Sequence, residues 1–108
     1  MERFEKIQKL VHDFNEERDW DQFHSPVNLA KSVCIEAGEL LECFQWDDEN
    51  FDREAVADEM ADVFTYLLDM SERLDIDLLE ATEKKMAKNF AKYPVEKARG
   101  KNTKYNKL

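Results

Sequence analysis

Apolar residues recur at helical spacing in four stretches of the chain, which predicts an all-α protein. The first helix is expected over residues 2–18, with Phe4, Ile7, Val11 and Phe14 on one face. His12 falls off that stripe and reads as a surface residue. Asp13, Asn15, Glu16, Glu17 and Arg18 are polar and read as its closing residues. The second helix begins at Ser25-Pro26, a good N-cap followed by a residue that needs no backbone hydrogen bond in the first turn. It is expected to run to about Trp46. Asp47–Asp52 is a loop, and Asp52 can cap a third helix from about Arg53 to Leu74. The stripe there is Val56, Met60, Val63, Leu67 and Leu74. Asp77 can cap a fourth helix from Leu78 to about Tyr93, where Pro94 ends it. Leu79, Thr82, Met86 and Phe90 are spaced as its core face. Long helices joined by short loops pack antiparallel. The expected protomer is an antiparallel four-helix bundle type, a single domain over 1–108 with residues 94–108 as a tail.

Acids interrupt this pattern where a core helix would not want them. With Leu29 at zero on a helical wheel, Leu40, Val33 and Phe44 fall at roughly +20°, +40° and +60°. Glu36 falls at about −20°, inside the stripe, and Glu39 at about −80°, on its edge. The third helix repeats the arrangement. Glu59, Tyr66 and Asp62 line one border of its stripe, at about −60°, −80° and −120° from Val56. If the two helices pack together, Glu36, Glu39, Glu59 and Asp62 converge at the rim of the core. Such groups repel one another unless cations neutralise them. All-oxygen ligands suit a hard cation such as Mg²⁺, with Mn²⁺ a possible substitute. The bland reading, solvated acids on amphipathic helices, is weakened by their position in or beside the apolar stripe. Asp69, a turn beyond Tyr66, reads as solvated or as a reserve metal or sugar contact. Gly38, between the two glutamates, leaves room for a neighbouring helix or a phosphate.

The pairs Glu36-x-x-Glu39 and Glu59-x-x-Asp62 resemble the ExxE…ExxD signature of the all-α nucleoside triphosphate pyrophosphohydrolases, the MazG-like enzymes and their dCTP pyrophosphatase relatives. ERDWDQFHSPVNLA (17–30), EAGELLECFQW (36–46), DEMADVFTYLLDM (58–70) and KNFAKYPVEKARG (88–100) resemble the same family in the same order. The resemblance implies a helical bundle that forms a homodimer or homotetramer. It implies hydrolysis of a nucleoside triphosphate to the monophosphate and pyrophosphate, with Mg²⁺ on Glu36, Glu39, Glu59 and Asp62. Glu39, nearer water, is the first candidate for the proton acceptor. The resemblance makes the loop with Trp20 and His24 part of the substrate pocket, where from the residues alone Trp20 either plugs the loop onto the bundle or faces a base, and His24 either bonds the nucleotide or braces the loop; Trp46 and Tyr66 offer base and sugar a surface, with an ordinary interface tyrosine the other reading of Tyr66. Asn89, Lys92 and Tyr93 are implied contacts to nucleotide and phosphate. A deoxynucleotide such as dCTP, or a modified nucleotide in a house-cleaning role, is the expected substrate.

Composition narrows the alternatives. With 25 acidic and 16 basic residues the net charge is −9, which argues against a nucleic-acid polymer as ligand. The tail from Pro94 carries five basic residues and one acid, +4 against −13 for the rest, and is either a flexible end or a strap over a triphosphate. No apolar run is long enough for a membrane span or a signal peptide, so a cytoplasmic protein is expected. Cys34 and Cys43 lie about 13 Å apart along one helix, too far for a disulfide. Two rival readings remain. A non-catalytic helical oligomerisation or nucleotide-binding module would hydrolyse nothing. A ferritin-like di-iron bundle needs Glu-x-x-His on two helices, and neither His12 nor His24 has a glutamate three residues before it.

Overall fold

A computed structural model describes residues 2–108, and among them every regular element is a helix. Its helices are α1 (Arg3–Glu17), α2 (Pro26–Glu42), α3 (Arg53–Leu74), α4 (Leu78–Lys92) and α5 (Val95–Ala98). Single 3₁₀ turns stand at Asp21–Phe23 and Tyr105–Lys107. The chain divides into two compact units, one ending at Ile76 and the other spanning Asp77–Leu108.

In the first unit α3 packs along α2 and, on another side, against α1. The caps explain where these helices start. Ser25 Oγ accepts from the Asn28 amide at 3.2 Å, with Pro26 in the first turn. Asp52 accepts from the amides of Glu54 and Ala55. Each cap satisfies donors that the first helical turn leaves without an internal partner. α3 ends on Asp75, whose left-handed φ of 53° lets its amide reach back to the carbonyls of Ser71 and Glu72. Asp tolerates that conformation better than most residues.

α2 ends four residues earlier than its apolar run predicts. Its C-cap is Cys43, and Phe44 and Gln45 form turns instead of a further helical turn. Asp47 accepts from the amides of Glu49 and Asn50, which commits the segment to a loop. Phe44 and Phe51 meet edge to face, ring centres 4.8 Å apart, and draw the two ends of this loop together.

Apolar burial is sparse. Leu29 and Leu68 are the fully buried apolar side chains among the described residues. Leu68 is off the predicted α3 stripe, whereas Met60 and Leu74 on that stripe are exposed. α3 is covered on two sides, by α2 and by α1, so one stripe does not describe its buried surface. Around Leu68 that surface also includes Asp69 and Ser71.

The second unit comprises α4, α5 and the C-terminal segment. Asp77 caps α4 by accepting from the Glu80 amide at 3.0 Å. The expected core face of this helix is not buried: Leu79, Met86 and Phe90 are exposed, Phe90 by 71%. The tail contains the short α5, which apolar periodicity does not predict. The segment then folds back on the end of α4. Tyr105 packs edge to face on Tyr93 at 6.2 Å, and the Lys92 ammonium stands 4.7 Å over the Tyr105 ring.

Candidate metal and nucleotide site

The register of α2 against α3 follows from their shared loop. Glu36 lies eight residues before Phe44 and Glu59 eight residues after Phe51, so antiparallel packing sets the two glutamates at one level. Oxygens of Glu36, Glu59 and Asp62 all lie within 4.8 Å of one another. Glu39, exposed at the rim, is not one of that group of three, but its charge pushes up both Glu36 and Glu59. One Oε2 oxygen of Glu36 and one of Glu59 are sealed from solvent and have no hydrogen-bond partner. Buried carboxylate oxygens are ordinarily satisfied, because leaving one bare costs the desolvation of the group.

Burial, then Glu39, Asp62 and Glu59 in turn, push the Glu36 carboxyl up to about 7. Glu59 is also raised, chiefly by burial and next by Glu39. Two acids on facing helices are thus both raised, because burial and like-charged neighbours disfavour their ionised forms. All-oxygen donors of this kind fit Mg²⁺ or Mn²⁺.

These shifts predict a pH dependence. The folded, metal-free chain holds on Glu36 a proton that the unfolded chain has released above its ordinary value of 4.5. That contribution to stability is present at low pH and is lost as pH rises from about 4.5 towards about 7. Melting in chelator is therefore expected at a lower temperature at pH 7.5 than at pH 5, and saturating Mg²⁺ should reduce the difference. His12, raised by Glu72 and Glu16, contributes in the same direction, so Glu36→Gln is the control. A variant with the same pH slope as wild type in chelator would remove Glu36 from the explanation.

A cleft of about 470 Å³ opens beside the acids. α2 contributes Glu36, and α3 contributes Asp62, Thr65, Tyr66 and Asp69. α1 supplies Leu10, Val11, Phe14 and Asn15, and the loop between α1 and α2 supplies Trp20 and His24. That loop is pinned from two helices. Asn28 Nδ2 donates to the Phe23 carbonyl and the Arg73 guanidinium to the Asp21 carbonyl, both at 3.0 Å. Trp20 stands edge to face on Phe14, ring centres 5.4 Å apart, and Arg18 covers the Phe14 ring at 3.8 Å. Tyr66 is half-buried, and burial with the charge of Glu36 pushes its hydroxyl pKa up.

Of the residues expected from sequence to contact a nucleotide, Trp20, His24 and Tyr66 thus share one cleft with Glu36 and Asp62. Trp46 does not line it. It lies beyond the end of α2 in the loop, 89% exposed, because the helix stops at Glu42. Asn89, Lys92 and Tyr93 belong to the second unit, where Lys92 and Tyr93 surround Tyr105 and Asn89 donates to the Met86 sulfur. The space at Gly38 is open. A methyl group in place of its α-hydrogen would meet no atom within 4 Å, so no helix among the described residues uses the missing side chain.

Asp69 departs from its sequence reading. It is 5% exposed, not solvated, and accepts a 2.7 Å hydrogen bond from Asn15 Nδ2, itself 5% exposed. Burial raises the Asp69 carboxyl, while the bond from Asn15 and the nearby His24 oppose the shift. Asn15 is likewise more than a helix-closing residue. The signal for it in the sequence is its position four residues after Val11, which puts it beside the apolar stripe. His12 instead bridges helices on the surface, its Nε2 2.9 Å from Glu16 and its Nδ1 bonded to Glu72 of α3.

Comparison with known proteins gives the family and the fold. The model of the MazG-like family matches residues 31–108. The chain is 39% identical to dCTP pyrophosphatase 1 of Mus musculus over 96% of its own length and 66% of the relative's. It is 38% identical to dCTP pyrophosphatase 1 of Homo sapiens with the same coverage. The chain thus spans about two thirds of the length of these curated relatives. A crystal structure of a pyrophosphatase from Archaeoglobus fulgidus superposes with a TM-score of 0.82 at 39% identity, covering 87% of this chain and 94% of that one. With Glu36 of α2 brought against Glu59 and Asp62 of α3, and with most of its length matched by the family model, this chain belongs to the MazG-like family.

Proposed function

We propose that the protein is a Mg²⁺-dependent nucleoside triphosphate pyrophosphohydrolase, converting a (d)NTP and water to the (d)NMP and pyrophosphate. The observation that carries this is the pair of sealed, unpartnered carboxylate oxygens on Glu36 and Glu59 beside a nucleoside-sized cleft. Glu36, Glu39, Glu59 and Asp62 would hold the cation. When bound there, Mg²⁺ supplies neutralisation of the triphosphate and acidification of water. Glu39, exposed at the rim, is the side chain suited to take the proton of the attacking water. Trp20 and Tyr66 offer aromatic surface to base and sugar in the same cleft. The names of the mammalian relatives support a deoxynucleotide such as dCTP as substrate. The same reading puts the enzyme in the cytoplasm, with the nucleotide pool.

Self-association to a homodimer or homotetramer belongs to this proposal. Leu10, Leu41, Met60 and Phe90 are all more than half exposed in a chain that buries so little apolar surface. Such surface commonly marks a protein interface.

The test is ³¹P NMR of the protein with Mg²⁺ and each common NTP and dNTP. Monophosphate plus pyrophosphate is the expected outcome. Orthophosphate plus diphosphate would replace the cleavage proposed. A triphosphate bound but left intact would make the chain a binding module.

No helix among the described residues is long and apolar enough to cross a membrane.

A further inference from the structure

Hydrolysis at the acid cluster makes no use of the Asn15–Asp69 pair, although both residues are buried and both line the cleft. A neutral pair, or two apolar side chains, would tie α1 to α3 at lower desolvation cost than a carboxylate. Position suggests another use. Asp62, Tyr66 and Asp69 follow one another along α3, and Asp69 lies about 10 Å along the helix axis from Asp62. A nucleotide with its phosphates at the acid cluster would lay its sugar by Tyr66 and its base by Asp69.

The chemistry of the pair is one-sided. A carboxylate only accepts hydrogen bonds, so the Asn15 amide must turn its NH₂ towards Asp69. What then remains for a ligand is the second Asp69 oxygen and Asn15 Oδ1, both acceptors. We infer that Asn15 and Asp69 read the polar edge of the base and select nucleobases that carry an exocyclic amine. Cytosine presents an N–H₂ donor at the position where uracil and thymine present a carbonyl oxygen. A carbonyl facing two acceptors would leave buried oxygens unpaired, which is how polar sites reject close analogues. The inference rests on reading the cleft as a nucleotide site.

The cleanest probe pair is dCMP and dUMP, which differ in the C4 substituent, amine against carbonyl, and in the N3 proton that accompanies the carbonyl. Binding to the full chain in Mg²⁺, measured by calorimetry, is expected to favour dCMP by about tenfold or more. Asp69→Asn, which keeps shape and can offer an N–H, should bring the ratio near one or invert it. A residue that only ties α1 to α3 would not move this ratio. Should that variant fail to fold, the wild type still decides: the Asn15 side-chain amide resonances should shift on adding dCMP and shift less with dUMP. Equal affinities in wild type, an unchanged ratio in Asp69→Asn, unmoved Asn15 resonances, or binding of neither nucleotide would each overturn the inference. Failure of the hydrolase reading is separate. Preference for dCMP without pyrophosphate release from dCTP would sink that reading and leave the pair's role standing.

Discussion

Glu36→Gln is expected to lower kcat/KM for pyrophosphate release by about 10³-fold, or about 4 kcal/mol of transition-state stabilisation. The same change should leave the metal-free chain at least as stable as wild type. Both expectations have one cause. Glu36 is the most strongly perturbed acid of the cluster, and its sealed oxygen has no partner within the protein. In the absence of a cation the carboxylate is a burden on the fold, raised by burial and by three neighbouring acids. The amide keeps the shape, removes the charge and loses a hard ligand. Activity by ³¹P NMR and melting in chelator read the two effects separately. Lost activity with a raised or unchanged melting temperature is the expected combination. Near-wild-type turnover would mean that Glu36 holds no essential cation. Equal loss of activity and of fold would mean a structural role instead.

Leu29→Ala should cost about 2–5 kcal/mol of folding stability. Leu29 is 1% exposed, the most fully buried side chain among the described residues, and it sits on the face of α2 that also carries Glu36. Among the described residues only Leu68 is a comparably buried apolar side chain. A loss of that size is a large fraction of the stability of an ordinary domain. Urea unfolding at one fixed protomer concentration measures it, since self-association would add a concentration-dependent share. A loss below about 1 kcal/mol would mean that the surroundings close over the gap, and that the packing of α2 on α3 does not depend on this residue.

The acid cluster is legible in the sequence because helical periodicity is a local property. Glu36 inside the α2 stripe, and Glu59 and Asp62 on the border of α3, are positions that 3.6 residues per turn fixes from spacing alone. Ser25, Asp52 and Asp77 are equally readable as caps, since a cap acts within its own first turn. The end of α2 is not. The apolar run to Trp46 is helical in pattern, but the loop bonds of Asp47 and the Phe44–Phe51 contact favour a turn after Glu42. Trp46 accordingly leaves the cleft lining. The exposed face of α4 shows the opposite limit. Leu79, Met86 and Phe90 have the spacing of a core face, but spacing says that a surface is apolar and not what covers it.

Local spacing and capping therefore carried the helical class, the helix starts and the placing of Glu36, Glu59 and Asp62 on facing sides of α2 and α3. Tertiary structure alone decided the buried Asn15–Asp69 bond, which joins residues 54 apart in the chain. It also decided which polar groups share the cleft. Those facts depend on how α1 lies against α3, and an isolated helical pattern holds no information about the distance to a partner.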